Sequence, residues 1–154
     1  MSVHTATIAW ARGSASFLDQ QYSRAHVWQF DGGAQIDASS SPHVVPAPLS
    51  NPAYVDPEEA YIAALSSCHM LWFLSIAAAG GFCVDTYRDQ AIGHMSRDER
   101  GTLWISRVEL QPHIVFSGPK QPDAGMLARM HHEAHANCFI ANSVRTEVTV
   151  LGLR

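Results

Sequence analysis

The sequence predicts an α+β fold, and the order of its segments carries the prediction. Stretches rich in β-forming residues come first, a long apolar helix follows, and further strands then surround a second, shorter helix. Strands and helices segregated in this way are typical of α+β domains. With 154 residues, 47% of them hydrophobic, the chain is expected to form one domain, residues 1–154, around a buried core.

The first part of the chain is predicted to contain two strands and a loop. Residues 5–10 and 25–30 are rich in β-formers, and Asp31-Gly32-Gly33 is typical of a hairpin turn. Residues 38–51 are rich in Ser and Pro, which predicts a surface loop. Because this loop is long for a compact domain, it is a candidate wall or lid of a site.

The first helix has a complete start signal. Asp56 suits the N-cap, Pro57 suits the first helical position, and Glu59 completes a capping-box pattern. The helix is expected to end at Gly80-Gly81, after about 24 residues or roughly 36 Å. A helix this long and apolar must be covered on most sides, and a second copy of the chain would cover it.

The second half is predicted to contain strands at 84–95 and 103–116, paired across the charged turn between them. Pro122 and Asp123 open a second helix that continues to about His135. Residues 144–151 are expected to form the last strand.

Composition excludes several classes of protein. A net charge of −4 and a pI near 6.1 give no reason to expect nucleic acid or an anionic membrane as a partner. The longest apolar run, residues 63–82, is interrupted by serines and by His69, so a buried helix is expected rather than a membrane span. The N-terminus lacks the pattern of a secretory signal, and three cysteines are too few for a disulfide-stapled domain. A cytoplasmic location is therefore expected.

Cys68 and Cys138 are the candidate reactive thiols. They lie seventy residues apart, which rules out a short zinc loop or a CxxC turn. Cys68 is twelve residues beyond the N-cap, too far for the helix dipole to act on it, so a nucleophilic role would need a nearby cation. Arg24, before an apolar strand, is the candidate cation. A small buried hydrophobe is an equally good interpretation of Cys68 from composition alone.

The remaining polar residues near the two thiols are given no catalytic role. His131, His132 and His135 suggest a metal site with Cys138, but the ligand spacing is unfamiliar, and a polar helix face is the favoured interpretation. Cys83 is expected to be a core residue at the start of a strand. His69 points about 100° away from Cys68 on a helix, so it is not assigned as a base.

Three segments together resemble the OsmC/Ohr family of hydroperoxide-reducing proteins, from about residue 24 to residue 150. The first is Pro-Glu-Glu with Cys68 ten residues after Glu58, and the second is Val-Glu-Leu-Gln-Pro at 108–112. The third is Ala-His-Ala-Asn-Cys at 134–138, followed by Ala-Asn-Ser. Many members have proline after the second cysteine, whereas this chain has Phe139. The segment at 51–59 is also longer than the Thr-Asn-Pro-Glu run of the Ohr branch, so the branch within the family stays unassigned.

The resemblance implies antiparallel sheets wrapping two central helices in an intertwined homodimer. It implies that Cys68 is the peroxidatic cysteine and that Cys138 is the resolving one. Glu58 matches the active-site glutamate of the family, and Arg24 is the best match for its arginine, with Arg12 as the fallback.

Helix geometry constrains the role of Glu58. Ten residues of straight helix separate Glu58 from Cys68 by about 15 Å along the axis and about 80° around it. Either the helix breaks between them, or Glu58 reaches the site by way of a partner chain or through the long side chain of Arg24. The second alternative is preferred, with the Arg24 guanidinium forking between carboxylate and thiolate.

The expected function is therefore a thiol-dependent peroxidase that reduces organic hydroperoxides, without a bound cofactor. By family resemblance, the reductant is an external dithiol, possibly that of a lipoyl protein. The apolar residues around Cys68 would favour organic hydroperoxides over hydrogen peroxide. Three alternatives stay open: an enzyme that uses the same site on another electrophile, a redox sensor or apolar small-molecule binder with little activity, and a Cys/His metal protein.

Overall fold

The computed structural model describes residues 1–152; residues 153 and 154 of the predicted domain lie outside this range. Within the described residues there are eight strands, two α-helices and one 3₁₀ turn, so the predicted α+β class is confirmed. The chain comprises two compact units, the first Met1–Ala60 and the second beginning at Tyr61.

The first unit contains a three-stranded antiparallel sheet. Its strands are β1 (Ala6–Ala9), β2 (His26–Phe30) and β3 (Gln35–Ala38), with β2 in the centre. The hairpin between β2 and β3 turns at Gly33, whose φ of 86° favours glycine. The two predicted strands and the predicted hairpin turn are therefore confirmed, with β1 slightly shorter than expected.

The predicted surface loop after β3 is in part buried, which corrects the expectation. Ser39, Ser41 and Ser50 are all buried. The backbone N–H of Ser39 donates to Val55 O at 3.0 Å, and its hydroxyl accepts from Asn51 N at 3.0 Å. These hydrogen bonds satisfy the buried polar groups of Ser39, which would otherwise require water, whereas the buried Ser50 hydroxyl has no partner in the described residues.

The first helix, α1, spans Pro57–Ala79, as its start and stop signals predict. Glu59 N donates to Asp56 Oδ1 at 2.8 Å and Asp56 N donates to Glu59 Oε2 at 3.3 Å, which is a capping box. Among the described residues, α1 is the one helix long and apolar enough to cross a membrane. Its Leu65, Phe73 and Ala77 are buried in protein, as in the core helix that the sequence predicts.

The two long strands predicted for the second half are each divided in two. The structure has β4 (Cys83–Asp89) and β5 (Ile92–Arg97) in place of the first, and β6 (Leu103–Leu110) and β7 (Pro112–Ser117) in place of the second. β4 pairs with β7, and β5 pairs with β6, both antiparallel, in separate sheets. The last strand, β8 (Glu147–Val150), runs parallel to β6.

The second helix, α2, spans Ala124–Asn137. Asp123 is its N-cap, as predicted, and the side chain accepts a hydrogen bond from Met126 N at 2.7 Å. Cys138 is the C-cap, and a 3₁₀ turn at Ala141–Ser143 follows.

The apolar core of the second unit consists of two clusters, with α1 contributing to both. One contains Phe73 and Ala77 of α1, Phe82 just before β4, and Met130 and Ala134 of α2. The other joins Leu65 of α1 to Val108 and Leu110 of β6. α1 is thus fixed on one side by α2 and on another by β6.

Candidate active site

The structure brings Cys68 and Cys138 together. Cys68 lies in the middle of α1 and Cys138 caps α2, and their side chains are within hydrogen-bonding distance of each other. Both are free thiols, with Cys68 half-buried and Cys138 buried. The packing of one helix on the other therefore brings together two cysteines that are seventy residues apart in the sequence.

The surroundings of Cys138 keep its thiol protonated. Burial, together with the hydrogen bond to Cys68, raises the pKa of Cys138 to about 11. The backbone N–H of Ala141, in the 3₁₀ turn, points at Cys138 Sγ from 3.4 Å and acts in the opposite direction. A thiol with this pKa has little thiolate at neutral pH, because the anion would be poorly solvated.

Cys83 is exposed at the start of β4, so the expectation that it belongs to the core is wrong. Its neighbour is Ser117, whose hydroxyl lies 3.4 Å from Cys83 Sγ. Among residues 1–152, no group of three or more His, Cys, Asp or Glu side chains is placed to hold a metal ion.

His69 and His131 form a buried pair between the two helices. His69 Nε2 lies 2.9 Å from His131 Nδ1, and each residue is only 1% exposed. Burial lowers the pKa of both imidazoles from 6.5 to about 4. The neighbouring His135 contributes to this shift at His69, where Asp89 opposes it, and His69 contributes to the shift at His131. The expectation that these histidines form a polar face of the helix is thus wrong for His131, although His132 is exposed.

A carboxylate lies close to the segment of α1 that carries Cys68. Asp89, the last residue of β4, accepts hydrogen bonds from the Ser66 hydroxyl and, at 2.6 Å, from Gln111 N. Burial, with Asp89 nearby, raises the pKa of Tyr87 above its ordinary value. Sequence reasoning missed these contacts, because Asp89 meets α1 only through the fold.

The first unit contains a cavity of about 520 Å³ with an aromatic wall. The rings of Trp10, Phe17 and Tyr22 lie within 4.9–6.1 Å of one another between centroids. The polar lining is supplied by Arg24, His26, Ser39, Ser40 and Glu58. The loop after β3 therefore does form part of a cavity wall, as its length suggests.

Arg24 and Glu58 both line this cavity. The Arg24 guanidinium lies 3.9 Å from the centre of the Tyr22 ring and donates to Gln20 O at 2.7 Å. Glu58 Oε2 is buried without a hydrogen-bond partner in the described part of the chain. Arg12, the fallback, donates to Ala15 O at 3.0 Å and does not line the cavity. Because α1 is unbroken, a helix break between Glu58 and Cys68 is excluded. The predicted contact between Arg24 and Glu58 is not formed among the described residues, because the guanidinium donates to backbone carbonyls instead.

The fold and the thiol pair define an α+β protein with two cysteines in contact at a helix–helix junction. The sequence model of the OsmC-like proteins matches residues 50–151 of this chain. The chain therefore belongs to the OsmC-like protein family. The resemblance inferred from three short segments is confirmed.

Solved structures agree with this assignment. An OsmC-like protein of unknown function from Vibrio cholerae is 56% identical, with 97% of this chain and 98% of that one covered and a TM-score of 0.95. An organic hydroperoxide resistance protein from Elizabethkingia anophelis shares the fold at 17% identity, with coverages of 97% and 96% and a TM-score of 0.71. The organic hydroperoxide resistance protein OsmC from Legionella pneumophila does so at 14% identity, 97% coverage of both chains and a TM-score of 0.67. No curated protein matches the chain.

Proposed function

We propose that this protein is a thiol-dependent peroxidase that reduces organic hydroperoxides to alcohols. The Cys68 thiolate attacks the distal peroxide oxygen, the O–O bond breaks, and the alcohol leaves after taking up a proton. Cys68 becomes a sulfenic acid. The Cys138 sulfur then attacks it, forming a Cys68–Cys138 disulfide and releasing water. An external dithiol returns both cysteines to thiols by exchange.

The observation that carries this proposal is the contact between Cys68 and Cys138 in an OsmC-like chain. Cys68 is half-exposed, so a small oxidant can reach it, whereas Cys138 is buried beside it. The raised pKa of Cys138 suits a resolving thiol, because such a group reacts slowly with peroxide in solution and rapidly with a sulfenic acid held next to it.

The aromatic cavity supports a substrate with an apolar part and a small polar head. Trp10, Phe17 and Tyr22 offer apolar area, while the Arg24 guanidinium can donate and the unpartnered Glu58 carboxylate oxygen can accept. A hydroperoxide group both accepts and donates hydrogen bonds. We propose that Arg24 and Glu58 are the arginine and glutamate of the active site and that the substrate's apolar part lies on the three rings. Because Glu58 and Cys68 of one helix lie about 15 Å apart along its axis, the attacking thiolate is that of Cys68 of the partner subunit in the proposed homodimer.

Several further features belong to the same proposal. The reductant is an external dithiol, possibly that of a lipoyl protein, and the protein needs no bound cofactor. The working form is a homodimer in the cytoplasm, without nucleic acid or membrane as a partner. The cavity also favours a second function, as a redox sensor or as a binder of an apolar small molecule. An aromatic cavity can bind such a molecule without catalysing any reaction.

Turnover of hydroperoxides with a dithiol reductant tests the proposal. We expect kcat/KM for cumene hydroperoxide to exceed that for hydrogen peroxide at least tenfold, because the aromatic wall binds the cumyl group. Cys68→Ser should abolish turnover, while Cys83→Ser, the matched change at the exposed cysteine, should leave it unchanged. Absence of turnover with either hydroperoxide, together with tight binding of the product alcohol, would favour the ligand-binding alternative.

A further inference from the structure

The His69–His131 pair has a geometry that packing alone does not require. The two rings are parallel to within 8° with centroids 5.3 Å apart, while the two bonded nitrogens are 2.9 Å apart. These values describe rings joined edge to edge by a hydrogen bond, and not rings stacked face to face. Phe73, also fully buried, lies against the face of His131 with centroids 4.4 Å apart.

The His69–His131 hydrogen bond and the Cys68–Cys138 contact are two separate contacts between α1 and α2. On α2, His131 precedes Cys138 by seven residues, which places them about 10 Å apart along the axis and on nearly the same face. On α1, Cys68 and His69 are adjacent, about 1.5 Å apart along the axis. One short stretch of α1 therefore contacts two distant points of α2, so α1 crosses α2 steeply.

The neighbouring side chains repeat this arrangement. Trp72, one turn after Cys68, meets Phe139 just beyond α2, with ring centroids 5.5 Å apart. Phe73, one turn after His69, meets His131. Two adjacent ridges of α1 thus contact the middle of α2, at His131, and the C-terminal end of α2, at Cys138 and Phe139. A single contact would let the helices rotate about it, whereas two contacts about 10 Å apart fix the crossing angle.

We propose that the His69–His131 hydrogen bond is a positioning contact for the Cys68–Cys138 disulfide: it fixes the crossing of α1 on α2 and thereby holds the two sulfurs at bonding distance. This inference rests on the proposed pairing of the two cysteines, although not on the oxidant being a peroxide. A disulfide tolerates only a narrow range of Cα–Cα distances, about 4.4–6.8 Å, so a rotated helix would strain it.

The directionality of the hydrogen bond makes it suited to this role. In the neutral pair one imidazole donates and the other accepts, which fixes both rings, while apolar side chains could slide on each other. The other charged or titratable groups near His69 are His135 on α2 and Asp89 on β4, and no hydrogen bond to His69 is formed by either in the described part of the chain. Among the described residues, His131 is therefore the side chain that holds His69 by a hydrogen bond.

The test is the equilibrium of the purified protein with reduced and oxidised dithiothreitol, in a Cys83→Ser background. Cys68 and Cys138 lose two electrons and two protons as the disulfide forms, and the ring disulfide of oxidised dithiothreitol takes them up. We expect His131→Leu to lower the equilibrium constant for disulfide formation at least tenfold, which is about 30 mV toward a less negative potential. The matched control is His132→Leu, the exposed neighbour, which should leave the potential unchanged.

Rescue separates positioning from general damage to the fold. In the double variant His69→Gln/His131→Asn the two amides lie near the original Nε2 and Nδ1 positions and can restore the hydrogen bond. The equilibrium constant for disulfide formation in this variant should therefore return to within threefold of the wild-type value. If His131→Leu does not fold, His131→Gln, with its amide displaced by one methylene, replaces it.

Equal potentials in all folded variants would overturn the inference, as would failure of the wild type to form the disulfide. Disulfide formation without peroxide turnover would overturn only the proposed function.

Discussion

At the scale of single residues, the burial of His69 and His131 between the helices makes the stability of the protein depend on pH. Both imidazoles have a pKa near 4 in the folded protein, against 6.5 when exposed. Above about pH 6.5 the two imidazoles bind no extra proton in either the folded or the unfolded chain. The pair therefore contributes no pH dependence to the free energy of unfolding in this range. Below that pH the unfolded chain takes up protons that the folded pair resists until about pH 4. Stability should therefore decrease as the pH falls through this window.

The expected slope is at most about 1.4 kcal/mol per pH unit for each imidazole. Urea unfolding at pH 7, 6 and 5 measures it. The variant His69→Gln/His131→Asn cannot titrate at these positions, so its free energy of unfolding should fall less steeply over the same range. Parallel curves for wild type and variant would show that the folded pair binds protons as readily as the unfolded chain does.

The thiols and the histidines differ in how far the sequence predicts them. The prediction that Cys68 and Cys138 meet depends on the resemblance of three segments to a family. The residues between the two cysteines give no geometric information about their distance. The His69–His131 contact was missed, because it depends on the angle at which α1 crosses α2. A signal does exist: His131 stands seven residues before Cys138, on the same helix face, and His69 follows Cys68.

At the scale of elements, the start of α1 offers a direct test of its local signals. Asp56 is buried and accepts the hydrogen bond from Glu59 N at 2.8 Å. Asp56→Ala should destabilise the protein by about 1 kcal/mol, and up to about 2 kcal/mol, because a helical N–H loses its acceptor. Asp56→Asn keeps an acceptor and should cost less than half as much. Urea unfolding of the two variants would refute the capping account if their losses were equal.

Helix limits were predictable from the sequence, whereas strand limits were not. Capping residues act within one turn, so Asp56, Asp123 and Gly80 mark helix ends locally. The continuous strands predicted at 84–95 and 103–116 break because their halves pair in different sheets. At the break, the Asp89 carboxylate accepts a long-range hydrogen bond from Gln111 N at 2.6 Å. Alternation of side chains continues through such a break and does not reveal it.

At the scale of the whole molecule, α1 leaves an uncharged face uncovered in the single chain. After Glu59 the helix contains no Asp, Glu, Lys or Arg, and Leu71 is 61% exposed. The exposed positions of this face are Ala63, Ala64, Ser67, Leu71, Ser75 and Ala78. Such a face is typical of a helix that packs against a partner, and the homodimer expected from the sequence would supply one.

Light scattering coupled to size-exclusion chromatography tests this expectation. Wild-type protein should have twice the mass of one chain. Leu71→Arg, which puts a charge on the uncovered face, should shift the protein toward one copy without loss of α-helix by circular dichroism. A single-chain mass for wild type at micromolar concentration would contradict the homodimer.

The central claim is that Cys68 and Cys138 form one redox unit that responds to organic hydroperoxides. Mass-spectrometric mapping of the thiols after one equivalent of cumene hydroperoxide tests it most directly, in wild type and in Cys138→Ser. We predict a Cys68–Cys138 disulfide in wild type, and sulfenic or sulfinic acid on Cys68 in the variant, where no resolving thiol remains. If both cysteines remain thiols after the hydroperoxide is added, or if Cys83 alone is oxidised, the account is wrong.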